Sequence, residues 1–276
     1  MIKISAIILS AILSVGVAQS AELRIDAKKP DLADVRKLAE MGEPEAQQLI
    51  YLLYRGQIEP TITRSEAIGW LKAASEKNFA RAQYEYALLL REDGDSGVTK
   101  DANQSLILMT KAADQGLAFA QLELGKHYFK GEGVERDKDK AMKLFRRAAK
   151  TGLLDAQLLL GLLYTGEPSS GVLRDDRAAL TWFGHAAAQG APYAQAKLGF
   201  AHEQGIGLEV NKQIAYFWYL VASSGGNKDA AQKLATLEKA LTPTQREKAR
   251  LDAKTWKPRI VSPEKLMALH PVDYWD

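Results

Sequence analysis

Residues 120–152 read AQLELGKHYFKGEGVERDKDKAMKLFRRAAKTG, and the architecture of the chain follows from the pattern within them. An Ala-Gln pair comes first, apolar residues stand four and eight positions after the alanine, and a glycine-rich break follows. Spacings of four and eight residues place side chains on one face of an α-helix. After the break, Asp137 precedes a second apolar run that ends in two alanines and a glycine. The stretch is therefore predicted to form two helices joined by a turn.

The same pattern returns along most of the chain. Its alanine recurs at intervals of 36, 38, 36, 38 and 36 residues, at Ala46, Ala82, Ala120, Ala156, Ala194 and Ala230. A fixed period in this range is typical of a solenoid built from one supersecondary unit. Four positions before each alanine stands a residue type that tolerates a left-handed helix end, namely Gly42, Asn78, Gly116, Gly152, Gly190 and Gly226. Each of these residues is predicted to mark a turn between helices.

A helix-start signal opens the second helix of each unit. The residues are Thr63, Asp101, Asp137, Asp175 and Asn211. Their side-chain oxygens can accept a hydrogen bond from a free amide of the first helical turn. Glu66 and Gln104 stand three residues after the first two signals, which predicts capping boxes there. The aspartates are therefore interpreted as helix caps and not as catalytic groups.

The complete phrase Ala-x-x-x-Leu-Gly-x-x-Tyr-x-x-Gly-x-Gly-Val, which starts at Ala120, resembles the Sel1-like repeat, a relative of the tetratricopeptide repeat. The resemblance covers about Gly42 to Leu241. It departs from the pattern where Ala87 replaces a helix glycine and where His202 replaces a tyrosine, and the first unit lacks the Gly-x-Gly-Val turn. The resemblance implies an all-α, right-handed superhelical solenoid of helical hairpins with helical caps. It also implies an adaptor or regulator that holds other proteins and catalyses no reaction.

The predicted layout places five repeats between two capping segments. A signal peptide occupies residues 1–21 and an N-terminal capping helix residues 31–41. The repeats occupy 42–77, 78–115, 116–151, 152–189 and 190–225, a final repeat helix spans 226–241, and a C-terminal helix and tail span 242–276. The tail is expected to cover the last helices, with occupation of a binding groove as the alternative.

The first 21 residues have the pattern of a secretory signal. A short basic start at Met1–Lys3 precedes an uncharged apolar run at Ile4–Val17, which is shorter than the ~20 residues of a membrane span. Small residues follow, so cleavage is expected after Ala18, Ser20 or Ala21. The mature chain is then periplasmic or secreted, with no transmembrane segment. The alternative is an uncleaved amphipathic or buried N-terminal helix.

Composition excludes several classes of function. The 276 residues contain no cysteine, which rules out disulfides, thiolate metal sites and cysteine nucleophiles. Lysine and arginine number 37 against 34 acidic residues, without a basic block, so nucleic acid is not an expected partner. No cofactor or metal site is predicted, because phosphate-loop and zinc motifs are absent and the histidines, His127, His185, His202 and His270, are scattered. Ser262-x-x-Lys265 lacks the motifs that accompany a serine acyl-enzyme.

A partner-binding face is predicted on the first helix of each repeat, on its expected concave side. Counting the repeat alanine as zero, positions 3 and 6 lie opposite the core. Position 3 is Leu49, Glu85, Glu123, Leu159 and Lys197, and position 6 is Leu52, Leu88, Lys126, Leu162 and Phe200. The segment 158–163 is apolar all round, which predicts that something covers it. The alternative is that position 6 packs against the adjacent repeat.

The sequence thus favours an exported, non-enzymatic scaffold with a protein partner. One alternative is a periplasmic inhibitor, such as an immunity protein against a secreted toxin or a regulator of an envelope sensor. A second alternative is a hydrolase of the cell envelope, since Glu85 and Glu123 recur on one face and paired carboxylates can cleave glycans.

Overall fold

The computed structural model describes residues 32–91 and 97–259. Every regular element within these ranges is helical, with thirteen α-helices and one 3₁₀ turn at Pro168–Ser170. The helices up to the third repeat are α1 (Leu32–Glu40), α2 (Pro44–Arg55), α3 (Arg64–Glu76), α4 (Ala80–Arg91), α5 (Ala102–Asp114), α6 (Ala118–Lys130) and α7 (Lys138–Lys150). They are followed by α8 (Leu154–Tyr164), α9 (Asp176–Ala188), α10 (Pro192–Gln204), α11 (Lys212–Ser224), α12 (Lys228–Ala240) and α13 (Pro243–Thr255).

The helices form two compact units, one that ends at Ala120 and one that begins at Gln121. In unit one, neighbouring helices pack in the chain order α1, α2, α3, α4 and α5. In unit two, neighbouring helices pack in the order α7, α8, α9, α10, α11 and α12, and α13 packs against α11. Successive antiparallel hairpins with short connections are the building plan of a helical repeat protein. The predicted fold class, an all-α repeat solenoid, is confirmed.

The second helix of each repeat begins at the predicted cap. Each of the five cap side chains accepts a hydrogen bond from the backbone N–H three residues later, as at Asp137, where the distance to the Lys140 nitrogen is 2.8 Å. In four repeats the cap's own N–H donates to the carbonyl of position 8 in the preceding helix, as from Asp137 to Tyr128 at 2.9 Å. One residue therefore closes the hairpin and starts its second helix.

The two predicted capping boxes are wrong in one of their two hydrogen bonds. The cap side chain accepts as predicted, but the side chain three residues later does not accept from the backbone N–H of the cap. Glu66 does not return to Thr63, because its carboxylate accepts hydrogen bonds from Arg36 at 2.9 and 3.2 Å. At Asp101 the backbone N–H already donates to the carbonyl of Leu90 at 2.9 Å. The complete box occurs instead at the start of α13, between Thr242 and Gln245.

The predicted turns between repeats are confirmed. All six residues adopt a positive φ, between 63° at Asn78 and 95° at Gly42 and Gly190. Asparagine is among the few residues besides glycine that visit this region readily, which explains the one exception among five glycines.

Helices within a hairpin approach closely where a glycine faces an aromatic ring. A Cβ built on Gly161 of α8 would lie 2.6 Å from a ring carbon of Phe183 on α9, and Gly199 stands against Tyr219 in the same way. Gly125 repeats the arrangement against Phe145. Because a normal carbon–carbon contact is about 3.5–4.0 Å, only glycine fits at these three positions.

The repeated glutamine has a structural role that the sequence pattern did not reveal. Its buried side chain donates to the carbonyl eight residues earlier, at the end of the preceding helix. The distances are 3.0 Å for Gln47, 3.4 Å for Gln83, 3.2 Å for Gln157 and 3.2 Å for Gln195. Each of these carbonyls also accepts the backbone N–H of the turn residue three positions later, so the glutamine supplies its second hydrogen bond. The glutamine therefore joins one repeat to the next.

The C-terminal helix α13 is held against unit two by polar and aromatic contacts. Glu238 of α12 accepts a hydrogen bond from Tyr216 at 2.7 Å and pairs with Arg250 of α13. Trp256 packs its ring edge-on to Trp218, with centroids 6.2 Å apart. The predicted signal peptide and most of the predicted tail lie outside the described residues.

Candidate partner-binding face

The predicted contact residues of unit two lie on the first helices of consecutive repeats. Leu159 and Leu162 belong to α8, and Lys197 and Phe200 belong to α10. Leu162 and Phe200 are each 41% exposed, and Leu159 is half-buried. On the inner side of α8, Leu158 packs into the cluster that contains Leu198 of α10. Large apolar side chains thus remain partly exposed on helices whose opposite faces already form the core.

A tyrosine that the sequence analysis did not select completes the exposed row on α10. Tyr193, 40% exposed, lies one turn before Lys197 and two turns before Phe200. The Lys197 ammonium sits 5.1 Å from the centre of the Tyr193 ring, within cation–π distance. Tyr193 also meets Phe183 edge to face at 6.3 Å, which anchors the ring on α9. The row combines two aromatic rings with one cation.

Lys233 of α12 extends this row beyond α10. Its ammonium lies 5.9 Å from the centre of the Phe200 ring and 3.6 Å from the Glu203 carboxylate. Glu203 also accepts a hydrogen bond from the Tyr219 hydroxyl at 2.8 Å. Burial and the neighbouring carboxylate raise the pKa of Tyr219, so the phenol stays protonated and keeps donating. We refer to Leu159, Leu162, Tyr193, Lys197, Phe200 and Lys233 as the unit-two face.

The sequence contained signals for both additional residues, Tyr193 and Lys233. Tyr193 stands at position −1, one helical turn from position 3, and therefore shares its face. Lys233 stands at position 3 of the final repeat helix, one repeat beyond the last residues of the predicted face.

Glu123 and Lys126 form a local ion pair on α6, with the ammonium 2.6 Å from the carboxylate. Both side chains are partly exposed, at 21% for Glu123 and 43% for Lys126. Residues three apart on a helix are neighbours, and such exposed pairs contribute only a few tenths of a kcal/mol. The pair presents both charge signs to solvent.

The predicted residues of unit one are mostly covered. Leu49 and Glu85 are each 7% exposed, whereas Leu52 and Leu88 are half-buried. The Glu85 carboxylate accepts a hydrogen bond from Arg55 at 2.8 Å. Position 3 in this unit therefore offers little surface, and the case for binding rests on unit two.

Both carboxylates considered for hydrolysis are engaged by cations. Glu85 pairs with Arg55 in unit one, and Glu123 pairs with Lys126 in unit two. A general acid in a glycosidase needs an environment that keeps it protonated near neutral pH. Glu85 and Glu123 are instead each held by a cation, and they belong to different units.

His185 and His202 are both buried in unit two. His185 is 3% exposed and His202 is 7% exposed. Burial lowers the pKa of each to about 4, so both are neutral at pH 7. Within residues 32–91 and 97–259 no three histidine or acidic side chains are grouped to hold a metal. His270 and Ser262-x-x-Lys265 lie outside this part of the chain. Among the described helices, none combines the length and apolar character that crossing a bilayer requires.

Comparisons with known proteins agree with this architecture. A sequence model of the Sel1 repeat matches five segments, residues 39–79, 80–117, 118–153, 154–190 and 192–227. Chitin synthase regulatory factor 3 of Schizosaccharomyces pombe is 32% identical over 226 residues, which make up 79% of this chain. The chain spans only 24% of that relative's length.

Two crystal structures share the fold. One is c5321, a protective antigen present in uropathogenic Escherichia coli strains and displaying an SLR fold. It is 28% identical, with a TM-score of 0.67 over 90% of this chain and 51% of that chain. The other is a Sel1 repeat protein from Oxalobacter formigenes, 32% identical, with a TM-score of 0.65 over 76% of this chain and 61% of that chain.

Proposed function

We propose that this chain, which belongs to the Sel1 repeat family, is an exported scaffold without catalytic activity that holds a protein partner on the unit-two face. The carrying observation is the exposure of Leu162 and Phe200, each at 41%, on helices whose buried faces already form the core. Large apolar and aromatic side chains supply most of the binding energy at protein interfaces. Lys197 and Lys233 border them and supply charge for orientation.

A binding role is supported by the composition of this face. Aromatic residues are enriched at protein interfaces, and Tyr193 and Phe200 are partly immobilised by their neighbours Phe183 and Lys233. A side chain that is already held loses less freedom on binding. The S. pombe relative carries the name of a regulatory factor, which also supports action through another protein.

Substitution of the exposed apolar residues tests the proposal. We expect the double variant Leu162→Glu/Phe200→Glu to lose partner capture while keeping its helicity, because both side chains are partly exposed and lie outside the buried core. Leu251→Glu on α13 is the matched control, since Leu251 is 60% exposed and lies outside the face. Cross-linking followed by quantitative mass spectrometry compares the proteins captured by each variant.

The proposal fails if the double variant and the wild type capture the same proteins to the same extent. Circular dichroism of both variants separates loss of binding from loss of structure. A variant that unfolds shows that these residues belong to the core, as in the alternative stated above for position 6.

Export is a separate part of the proposal and has its own test. When the full chain is produced in a bacterium with an intact secretion system, mass spectrometry of the N-terminus should find Gln19, Ala21 or Glu22 as the first residue. Recovery of the intact N-terminus from the purified protein would contradict export by signal cleavage.

A further inference from the structure

An open groove of about 510 Å³ lies within unit two, on the opposite helix type from the unit-two face. Helix α7 lines it with Lys138, Lys143 and Arg146, and the connection from α8 to α9 lines it with Val172 and Leu173. The volume falls in the range of ligand-binding clefts, about 300–1,000 Å³. Neither the repeat pattern nor the predicted site included this groove.

The lining carries an excess of positive charge. The three cations all line the groove from α7, and Asp139 is the one acidic residue among the lining side chains. Lys143 forms no ion pair within residues 32–91 and 97–259. Cations that no carboxylate neutralises remain available to an anionic ligand.

Contacts with the neighbouring elements hold two of the cations in place. The Tyr164 hydroxyl accepts hydrogen bonds from Nε and Nη2 of Arg146 at 3.1 and 2.8 Å. A guanidinium has five N–H donors, so others remain for a ligand. Lys138 lies against Gly171, where a Cβ would overlap the ammonium nitrogen. Gly171 has a φ of +61°, which glycine adopts readily, so the connection turns beside the end of the Lys138 side chain.

The third repeat alone has this charge pattern. The positions of Lys138, Lys143 and Arg146 are one, six and nine residues after the cap. The same positions read Arg64, Gly69 and Lys72 in the first repeat, Ala102, Ile107 and Thr110 in the second, Asp176, Thr181 and Gly184 in the fourth, and Lys212, Phe217 and Leu220 in the fifth. The wall also depends on the two extra residues of the fourth interval, which has 38 residues, and these extra residues lie between α8 and α9. Hairpin packing therefore does not require the groove.

We propose that this groove binds an acidic peptide segment of a protein, with a carboxylate side chain beside an apolar one. The inference rests on the proposed protein-binding function and adds a second contact site to it. The cations match the carboxylate. Leu173, 90% exposed, and Val172 on the rim match the apolar side chain.

The backbone of the rim favours a peptide over other anions. Residues 172–175 form no helix or strand, and Leu173 makes no hydrogen bond within the described residues. Its free N–H and C=O can pair with an extended peptide, as in strand-addition recognition. A phosphate ion or a lipid headgroup would not pair with both the extended backbone and the apolar rim.

Fluorescence anisotropy with a labelled, end-blocked hexapeptide of alternating glutamate and leucine tests the inference on the full chain. The matching glutamine–leucine peptide is the neutral probe. We expect the acidic peptide to bind, the neutral peptide to bind at least tenfold more weakly, and raised salt to weaken the acidic peptide.

Two charge-reversed variants locate the site. Lys143→Glu/Arg146→Glu should weaken the acidic peptide at least tenfold. Arg147→Glu/Lys150→Glu makes the same change in charge on exposed residues of α7 that do not line the groove, and it should change binding less than threefold. Equal losses in both variants would overturn the inference, because they would show attraction to the basic helix as a whole.

Two further measurements distinguish a peptide from other anionic ligands, and the groove inference from the proposed function. Binding of inorganic phosphate or of phosphatidylglycerol vesicles, without binding of the acidic peptide, would overturn the peptide assignment. Leu162→Glu/Phe200→Glu should bind the acidic peptide normally. If partner capture is lost in that variant and the peptide never binds, the groove inference fails while the proposed function stands.

Discussion

Replacing Gly161 with alanine should destabilise the helix that carries Leu159 and Leu162. The new Cβ would lie 2.6 and 2.7 Å from two ring carbons of Phe183, and 3.0 Å from a third. Carbon atoms in contact are normally about 3.5–4.0 Å apart, so the ring or the helix must move by roughly 1 Å. Phe183 is 2% exposed and has little room to retreat.

Two opposing effects set the magnitude. Alanine in a helix interior is favoured over glycine by about 1 kcal/mol. Overpacking of a dense core costs about 1–3 kcal/mol, and overlap with three ring carbons puts Gly161→Ala near the upper end. The net effect should be a loss of about 1–2 kcal/mol in the free energy of unfolding. Gly69→Ala on α3 is the control, because a Cβ there meets nothing within 4 Å. That variant should gain about 0.5–1 kcal/mol.

Urea unfolding at 25 °C, followed by far-UV circular dichroism, measures both variants against the wild type. Phe183→Leu in the Gly161→Ala background should recover part of the loss, because the smaller side chain removes the overlap. If Gly161→Ala is as stable as the wild type or more stable, the close helix approach does not depend on glycine, and the structural account of the repeat pattern fails.

Three further perturbations follow from buried charge and capping. His185 and His202 have pKa values of about 4 in the folded chain, against 6.5 in the unfolded chain. Below about pH 6.5 the unfolded chain therefore binds protons that the folded chain does not. The free energy of unfolding should fall by about 2 kcal/mol per histidine between pH 7 and pH 5. Unfolding midpoints between pH 7.5 and 4.5 should show this slope, and His185→Val/His202→Tyr, with the residues of neighbouring repeats, should flatten it. Asp137→Ala should cost about 1 kcal/mol and Asp137→Asn much less; equal losses in urea would contradict the capping role. Arg55→Gln should destabilise unit one more than Glu85→Gln, because the first leaves the buried Glu85 carboxylate without its cation, whereas Arg55 itself is largely exposed; the reverse order of melting temperatures would contradict this account.

The sequence could predict the fold because its decisive residues are constrained by local backbone geometry. A left-handed turn restricts position −4 to glycine or asparagine, and a helix start favours Asp137 or its counterparts, so both recur at a readable period. The predicted capping boxes were incomplete because residues from other helices can form hydrogen bonds with the same groups. Arg36 comes from another helix and takes the Glu66 carboxylate, and no local pattern reveals such a contact.

The candidate sites were harder to predict, because the positions that can bind a partner are those that packing leaves unconstrained. Position 3 is covered at Leu49 and half-buried at Leu159, and position 6 is half-buried at Leu52 and exposed at Leu162. The helical period does not distinguish one repeat from another. The groove on α7 needs both three cations at unconstrained positions and two extra residues in a connection that another repeat supplies. The cations and the two extra residues both depart from the repeat consensus. Neither change alters the turns, caps or glycine–aromatic contacts that hold the hairpins together. Specificity in this chain should therefore lie in what differs between repeats. Transferring Lys143 and Arg146 to the matching positions of α11, Phe217 and Leu220, should accordingly not create acidic-peptide binding there, because the connection that forms the groove wall beside α7 is absent.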